Sequence, residues 1–256
     1  MTRQFFIAGA QRSGSTYLHT IVSEHPQIEM NQPWWPEPKF FLAPGSENEV
    51  DTYLKRYFSR QDAVVRGDKT VSYMEHPAAP ARIAKAFPEA QIIFVLRDPV
   101  ERAISNYWFS HANGLESLDI DTALSNESYE HRKYDQEKIS GSPFFYIKRG
   151  RYVDYIEVFL RYFKCDQIKI LVFEDLIGNH QSIAALYEYL QVDSSFVPKA
   201  VHEKINSYSP EMEIFDSTRS FLMDLYDEAN RRLSEQFDVD LSSWRSNRSV
   251  SRQAKV

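Results

Sequence analysis

Apolar and polar positions recur along this chain with two different periods, and the switches between them mark its elements. Residues 5–8, Phe-Phe-Ile-Ala, form an apolar run that stops at a loop holding Gly9 and Gly14. Leu18, Ile21 and Val22 then share one face at helical spacing, so the beginning reads strand, loop, helix. Residues 28–30 read as a short strand or connector. Pro33, Pro36 and Pro38 keep 31–38 out of a helix, because proline has no N–H and its ring clashes with the preceding turn. Val50, Tyr53, Leu54 and Tyr57 predict a helix over 48–58, and residues 63–70 a short strand running into a polar turn. An alanine-rich helix follows over 77–87, with Pro88 beyond its end.

Gln91-Ile92-Ile93-Phe94-Val95-Leu96 is the strongest strand pattern, a continuous apolar run of the kind that parallel strands buried on both faces require. Helices are predicted over 99–110, 150–163, 180–190 and 217–236, and a third clear strand over 168–173. Residues 113–142 read as a polar surface excursion, 198–212 as a polar loop, and 245–256 as a flexible Ser/Arg-rich tail. Strands alternating with helices predict an α/β fold, a three-layer sandwich with a central, largely parallel sheet flanked by helices. Ligands of such sheets bind outside the carboxyl ends of the strands. Polar residues stand at three candidate ends: the glycine loop, Lys69 and Arg97. No boundary is visible, so residues 1–256 are expected to form a single domain.

Composition changes this picture little. The chain has 256 residues, 43% hydrophobic and 14% aromatic, as a globular domain needs. Its net charge of −6 argues against a nucleic-acid partner held by a basic surface, although a local basic pocket stays open. The single cysteine, Cys165, forms no internal disulfide and is expected to pack as a small hydrophobe. No apolar run is long enough for a membrane span, and the first strand begins too early for a signal peptide. A cytoplasmic protein is the resulting expectation; oligomeric state is not readable.

The glycine loop carries the first chemistry. Gly9-x-x-x-x-Gly14 matches the first part of a P-loop, whose backbone N–H groups and following helix N-terminus cradle phosphate. A nucleotide P-loop continues with Lys-Ser/Thr; here the continuation is Ser15-Thr16, and the cation stands earlier, at Arg12. The loop therefore suits a phosphate without the usual metal-bound triphosphate. No metal-ligand spacing joins His19, His25, His76 and Cys165, so no metal is expected.

Four further segments follow in order: Glu37-Pro38-Lys39-Phe40-Phe41, Gly67-Asp68-Lys69-Thr70-Val71-Ser72-Tyr73, Leu96-Arg97-Asp98-Pro99 through Tyr107, and Arg149-Gly150-Arg151-Tyr152. With the glycine loop they resemble the sulfotransferases that use 3′-phosphoadenosine 5′-phosphosulfate (PAPS), in particular the heparan-sulfate N- and 3-O-sulfotransferase type. The likeness covers nearly the whole chain and fits a soluble bacterial relative, since neither a membrane anchor nor a disulfide is seen. It implies a P-loop-like sandwich and transfer of a sulfuryl group from PAPS to an acceptor hydroxyl or amine, leaving PAP, with no metal. It also implies that Arg12, Ser13, Gly14, Ser15 and Thr16 hold the 5′-phosphosulfate, and that Arg97 and Ser105 hold the 3′-phosphate. Relatives commonly carry Lys at the position of Arg12; arginine keeps the charge but presents a forked donor.

By the same resemblance Glu37 is the catalytic base, Lys69 stabilises the transferring group or orients the acceptor, and Arg12, the cation of the loop, counts among the catalytic residues. Trp34, Trp35, Phe40 and Phe41 would desolvate Glu37, and desolvation strengthens a carboxylate as a base. Blander readings stay open: Glu37 as a loop carboxylate, Lys69 as a turn lysine paired with Asp68, Arg97 paired with Asp98, and His76 or His111 as the base. Asp98 is expected to cap the helix after it or to buttress Arg97. Trp34, Trp35, Tyr73 and Trp108 are candidates to line an acceptor cleft for a carbohydrate or small natural product. The acid-rich 111–137 stretch favours a neutral acceptor over a polyanion. The rival functions are an ATP-dependent P-loop small-molecule kinase and a catalytically inactive nucleotide-binding module.

Overall fold

A computed structural model describes residues 2–125, 132–134, 142–203 and 214–244. The predicted tail at 245–256, and parts of the 113–142 and 198–212 stretches, lie outside the described residues. The chain divides into two compact units, each made of two segments: residues 1–96 with 156–206, and 97–155 with 207–256.

The first unit holds the sheet. Its strands are β1 (Arg3–Gly9), β2 (Ile28–Met30), β3 (Val65–Lys69), β4 (Gln91–Leu96) and β5 (Ile168–Val172). They lie in the order β2-β3-β1-β4-β5, and every pairing is parallel. Successive side chains of a strand point to opposite faces, so each strand must satisfy two cores. On one face Phe5, Ile7, Ile93 and Val95 pack with Leu18 and Ile21 of α1 (Ser15–Ser23) and Leu186 of α8 (His180–Tyr189). On the other, the Phe6 ring meets Phe41, Tyr73 and Phe87 at centroid distances of 5.8, 6.2 and 5.9 Å, and Phe94 meets Phe159 at 5.0 Å. This two-sided burial explains why β1 and β4 read as unbroken apolar runs. α2 (Val50–Tyr57), α3 (Ala79–Ala86) and the single turn α7 (Phe173–Leu176) complete the unit's full helices.

The second unit is helical among its described residues. α4 (Pro99–Ala112), α5 (Ile120–Leu124) and α9 (Asp216–Phe237) share a core of Val100, Ala103, Tyr107, Leu124, Leu222 and Tyr226. Asp98 caps α4 by accepting the Val100 N–H at 2.9 Å, as its place before Pro99 predicts. Glu101 pairs with Arg219 at 2.8 Å, while Arg102 is fully buried and structural. α6 (Tyr152–Phe159) runs from the second segment of chain into the first unit.

Two sequence expectations fail here. Cys165 is exposed, because it lies in a polar turn at Cys165–Gln167 whose flanking Phe163 and Ile168 take the apolar positions. Tyr73 and Trp108 are buried in the two cores and line no open cleft; Trp34 and Trp35 stay exposed at 45% and 67%.

Candidate active site

The loop between β1 and α1 is shaped by two left-handed residues, Arg12 at φ 65° and Gly14 at φ 87°. Glycine is required at the second, because a Cβ there would collide with the Phe173 ring. Gly14 is also the N-cap of α1, and it has no side chain with which to bond the helix's first N–H groups. Ser13 is fully buried, and its Oγ has no hydrogen-bond partner among the described residues. Orphan N–H donors and a buried, unpartnered hydroxyl at one helix start form a set that an anionic ligand oxygen would satisfy. Ser15 is buried in the first turn and Thr16 half-buried, its carbonyl accepting the Thr20 hydroxyl at 3.0 Å. Arg12 is half-buried.

β3 delivers the second part. Its last residue, Lys69, pairs in register with Ile7, two residues before the glycine loop opens. The Thr70 and Met74 N–H groups bond to the Ile7 and Ala8 carbonyls, at 3.2 and 2.9 Å, so the segment after β3 lies against the end of β1. Lys69 Nζ forms an ion pair with Glu37 Oε1 at 3.0 Å, with only 4% and 7% of the two side chains exposed. Glu37 Oε2 accepts the Val71 N–H at 3.1 Å. Asn31 accepts the Lys69 N–H at 3.0 Å and donates to the Pro33 carbonyl at 2.8 Å, joining the strand end to the proline-rich loop. Lys69 thus pairs with Glu37 and not with Asp68, since strand alternation sends neighbouring side chains to opposite faces.

Sequence reasoning missed three contributors. Asn31 carries no motif signal. Asp68 was visible only as a partner for Lys69. His19 lies on the buried side of α1, its ring 5.7 Å from that of Trp34, whose ring centroid is 5.8 Å from Lys69 Nζ. Burial, and then the Lys69 charge, lower the His19 pKa to about 4, so its imidazole is neutral near pH 7. Helical period could have flagged it, since it follows Ser15 by one turn.

Of the remaining candidates, Arg97, Ser105 and His111 belong to the second unit and His76 to the first. Arg97, half-buried, follows Leu96 directly at the end of β4, and its carbonyl accepts the Tyr152 hydroxyl at 2.8 Å. Ser105 is half-buried on α4. Burial lowers the His76 pKa, whereas His111 is exposed and stacks on Tyr107.

Residues 2–251 match the sulfotransferase domain family. The chain belongs to that family. The crystal structure of a sulfotransferase from Alicyclobacillus acidocaldarius aligns with this sulfotransferase at a TM-score of 0.78 and 26% identity, covering 95% of this chain and 98% of that one. Bifunctional heparan sulfate N-deacetylase/N-sulfotransferase 1 of Caenorhabditis elegans is 30% identical over 171 residues, 63% of this chain and 19% of the worm protein. The human bifunctional heparan sulfate N-deacetylase/N-sulfotransferase 2 is 31% identical over 116 residues, 43% of this chain and 13% of its own length. The sulfotransferase therefore spans a fifth or less of these curated relatives. Among its described residues, no helix is long and apolar enough to cross a membrane.

Proposed function

We propose that this sulfotransferase moves the sulfuryl group of PAPS to a hydroxyl or amine of a neutral acceptor, a carbohydrate or small natural product, with Glu37 as the base. The observation that carries the reading is the buried Glu37–Lys69 pair at the end of β3, beside the strand that leads into the glycine loop. In-line transfer asks for both members. Glu37 takes the acceptor's proton as the new bond to sulfur forms. Lys69 neutralises the sulfuryl oxygens as the bond to the 5′-phosphate breaks. Arg12, Ser13, Gly14 and the N–H groups of Ser15 and Thr16 receive the charge that develops on the leaving phosphate. Until an acceptor arrives, the ion pair holds Glu37 in place. The exposed Trp34 and Trp35 rings, 6.5 Å apart and tilted by 48°, offer an acceptor ring apolar faces, with Trp34 next to Lys69.

The test is transfer of labelled sulfate from PAPS to a panel of sugars, phenols and lipid alcohols, alongside calorimetry with PAP and with ATP–Mg²⁺. Glu37→Gln is expected to keep PAP affinity and to lower kcat by about 10²–10⁴-fold. Near-normal turnover in that variant moves the base elsewhere, and tighter binding of ATP–Mg²⁺ than of PAP overturns the donor. Arg97→Ala is expected to weaken PAP far more than adenosine 5′-phosphate; equal losses remove Arg97 from recognition of the 3′-phosphate.

A further inference from the structure

Asp68 points away from Lys69 into the aromatic core and is completely buried. Three hydroxyls converge on its carboxylate: Tyr53 and Tyr73 donate to Oδ2 at 3.0 and 3.2 Å, and Thr70 donates to Oδ1 at 2.7 Å. Two of these hydroxyls are also acceptors. Thr70 Oγ1 accepts the Lys39 N–H at 3.2 Å, and the Tyr73 hydroxyl accepts the Phe41 N–H at 3.3 Å. With Asp68 ionised, each of these hydroxyls gives its only proton to the carboxylate, so its lone pairs are turned toward the backbone of the 37–41 segment. The segment needs such support. Lys39 has φ 52°, a left-handed conformation that is unfavourable for a non-glycine residue and persists only where neighbours hold it. Tyr57, one helical turn beyond Tyr53 on α2, adds a bond from its hydroxyl to the Pro38 carbonyl at 3.3 Å.

We infer that Asp68 is a positioning residue: through the Thr70 and Tyr73 hydroxyls it fixes the backbone at Lys39 and Phe41, and so the place from which Glu37 reaches its substrate. This rests on Glu37 being the base, but the anchoring can be read without turnover. An Asn at 68 has the same shape but one acceptor oxygen fewer and two added N–H donors. It cannot accept from all three hydroxyls, so at least one must turn and loosen its hold on the segment.

The decisive pair of measurements is residue-resolved amide hydrogen exchange and single-turnover sulfate transfer on Asp68→Asn. The Lys39 and Phe41 amides are expected to exchange about tenfold faster or more, while amides of β1 and β4 keep their protection. Single-turnover transfer is expected to fall about 10–100-fold with PAP affinity unchanged, the size that a small misplacement of a reacting group produces. In a Glu37→Gln background the Asp68→Asn change is expected to cost less than about twofold more, because a group that only places the base has nothing left to place. If Asp68→Asn does not fold, Thr70→Val and Tyr73→Phe take its place, each expected to free one amide, Lys39 or Phe41 respectively. Unchanged exchange at both amides overturns the inference, as does full multiplication of the two losses in the double variant. Active Glu37→Gln with faster Lys39 and Phe41 exchange in Asp68→Asn overturns the base and leaves the anchor standing.

Discussion

At the scale of single residues, the site contains two buried groups whose ionisation opposes folding in opposite pH directions. Burial, opposed by hydroxyl hydrogen bonds and reinforced by the Glu37 charge, raises the Asp68 pKa from 3.8 to about 7. Between these values the folded protein holds a proton that the unfolded chain has released, so this group makes folding more favourable as pH falls from 7 toward 4. His19 does the reverse. Its pKa falls from 6.5 to about 4, so over that interval the unfolded chain takes up a proton that the folded protein refuses, and acidification costs stability. The two slopes oppose each other between about pH 4 and 6.5. Urea midpoints measured from pH 4 to 8 are expected to separate them: Asp68→Asn should lose stability on acidification more steeply than the parent, and His19→Gln less steeply. A parent-like slope in either variant would remove that group from the linkage.

At the scale of elements, the glycine loop is a joint between β1 and α1 that tolerates no side chain at Gly14. Gly14→Ala meets both a φ of 87° and the Phe173 ring, so the loop must reshape to accept it. Calorimetry is expected to show at least about tenfold weaker PAP binding, with a smaller change in the thermal midpoint, because the strain sits in the loop and not in the sheet. Parent-like affinity would mean that the loop's shape does not matter for the nucleotide. The same joint shows what was legible in the sequence and what was not. The sequence pattern marks residues 91–96 as a strand to the residue, and a helix after the glycine loop through Leu18, Ile21 and Val22, because burial on one or two faces writes a period into the chain. The Glu37–Lys69 pairing was not legible: the residues lie 32 positions apart, and the parallel register of β2 beside β3, with Asn31 accepting the Lys69 N–H, brings the loop that carries Glu37 to the end of β3. Their roles were suggested by resemblance, whereas Asp68 and His19 needed the fold, since a buried carboxylate and a buried imidazole look like surface residues in a list of letters. Tyr73 and Trp108 failed in the opposite way, since aromatic residues serve cores and clefts alike and sequence does not separate the two.

At the scale of the whole molecule, each compact unit has its own apolar core, and the chain as a whole carries 36 acidic against 30 basic side chains. That excess has a consequence for the acceptor. A polyanionic glycan approaching a chain of net charge −6 is repelled over a distance set by the salt, about 30 Å at 0.01 M and about 8 Å at 0.15 M. A neutral acceptor feels no such barrier, and exposed indole rings such as Trp34 and Trp35 need no charge to hold it. With PAPS saturating, kcat/KM for a neutral acceptor is therefore expected to change by less than about twofold between these two salt concentrations. For a sulfated glycan it is expected to be low and to rise with salt as the repulsion is screened. A glycan rate that falls steeply with added salt would instead reveal a local basic surface strong enough to outweigh the net charge, and the acceptor would then be sought among polyanions.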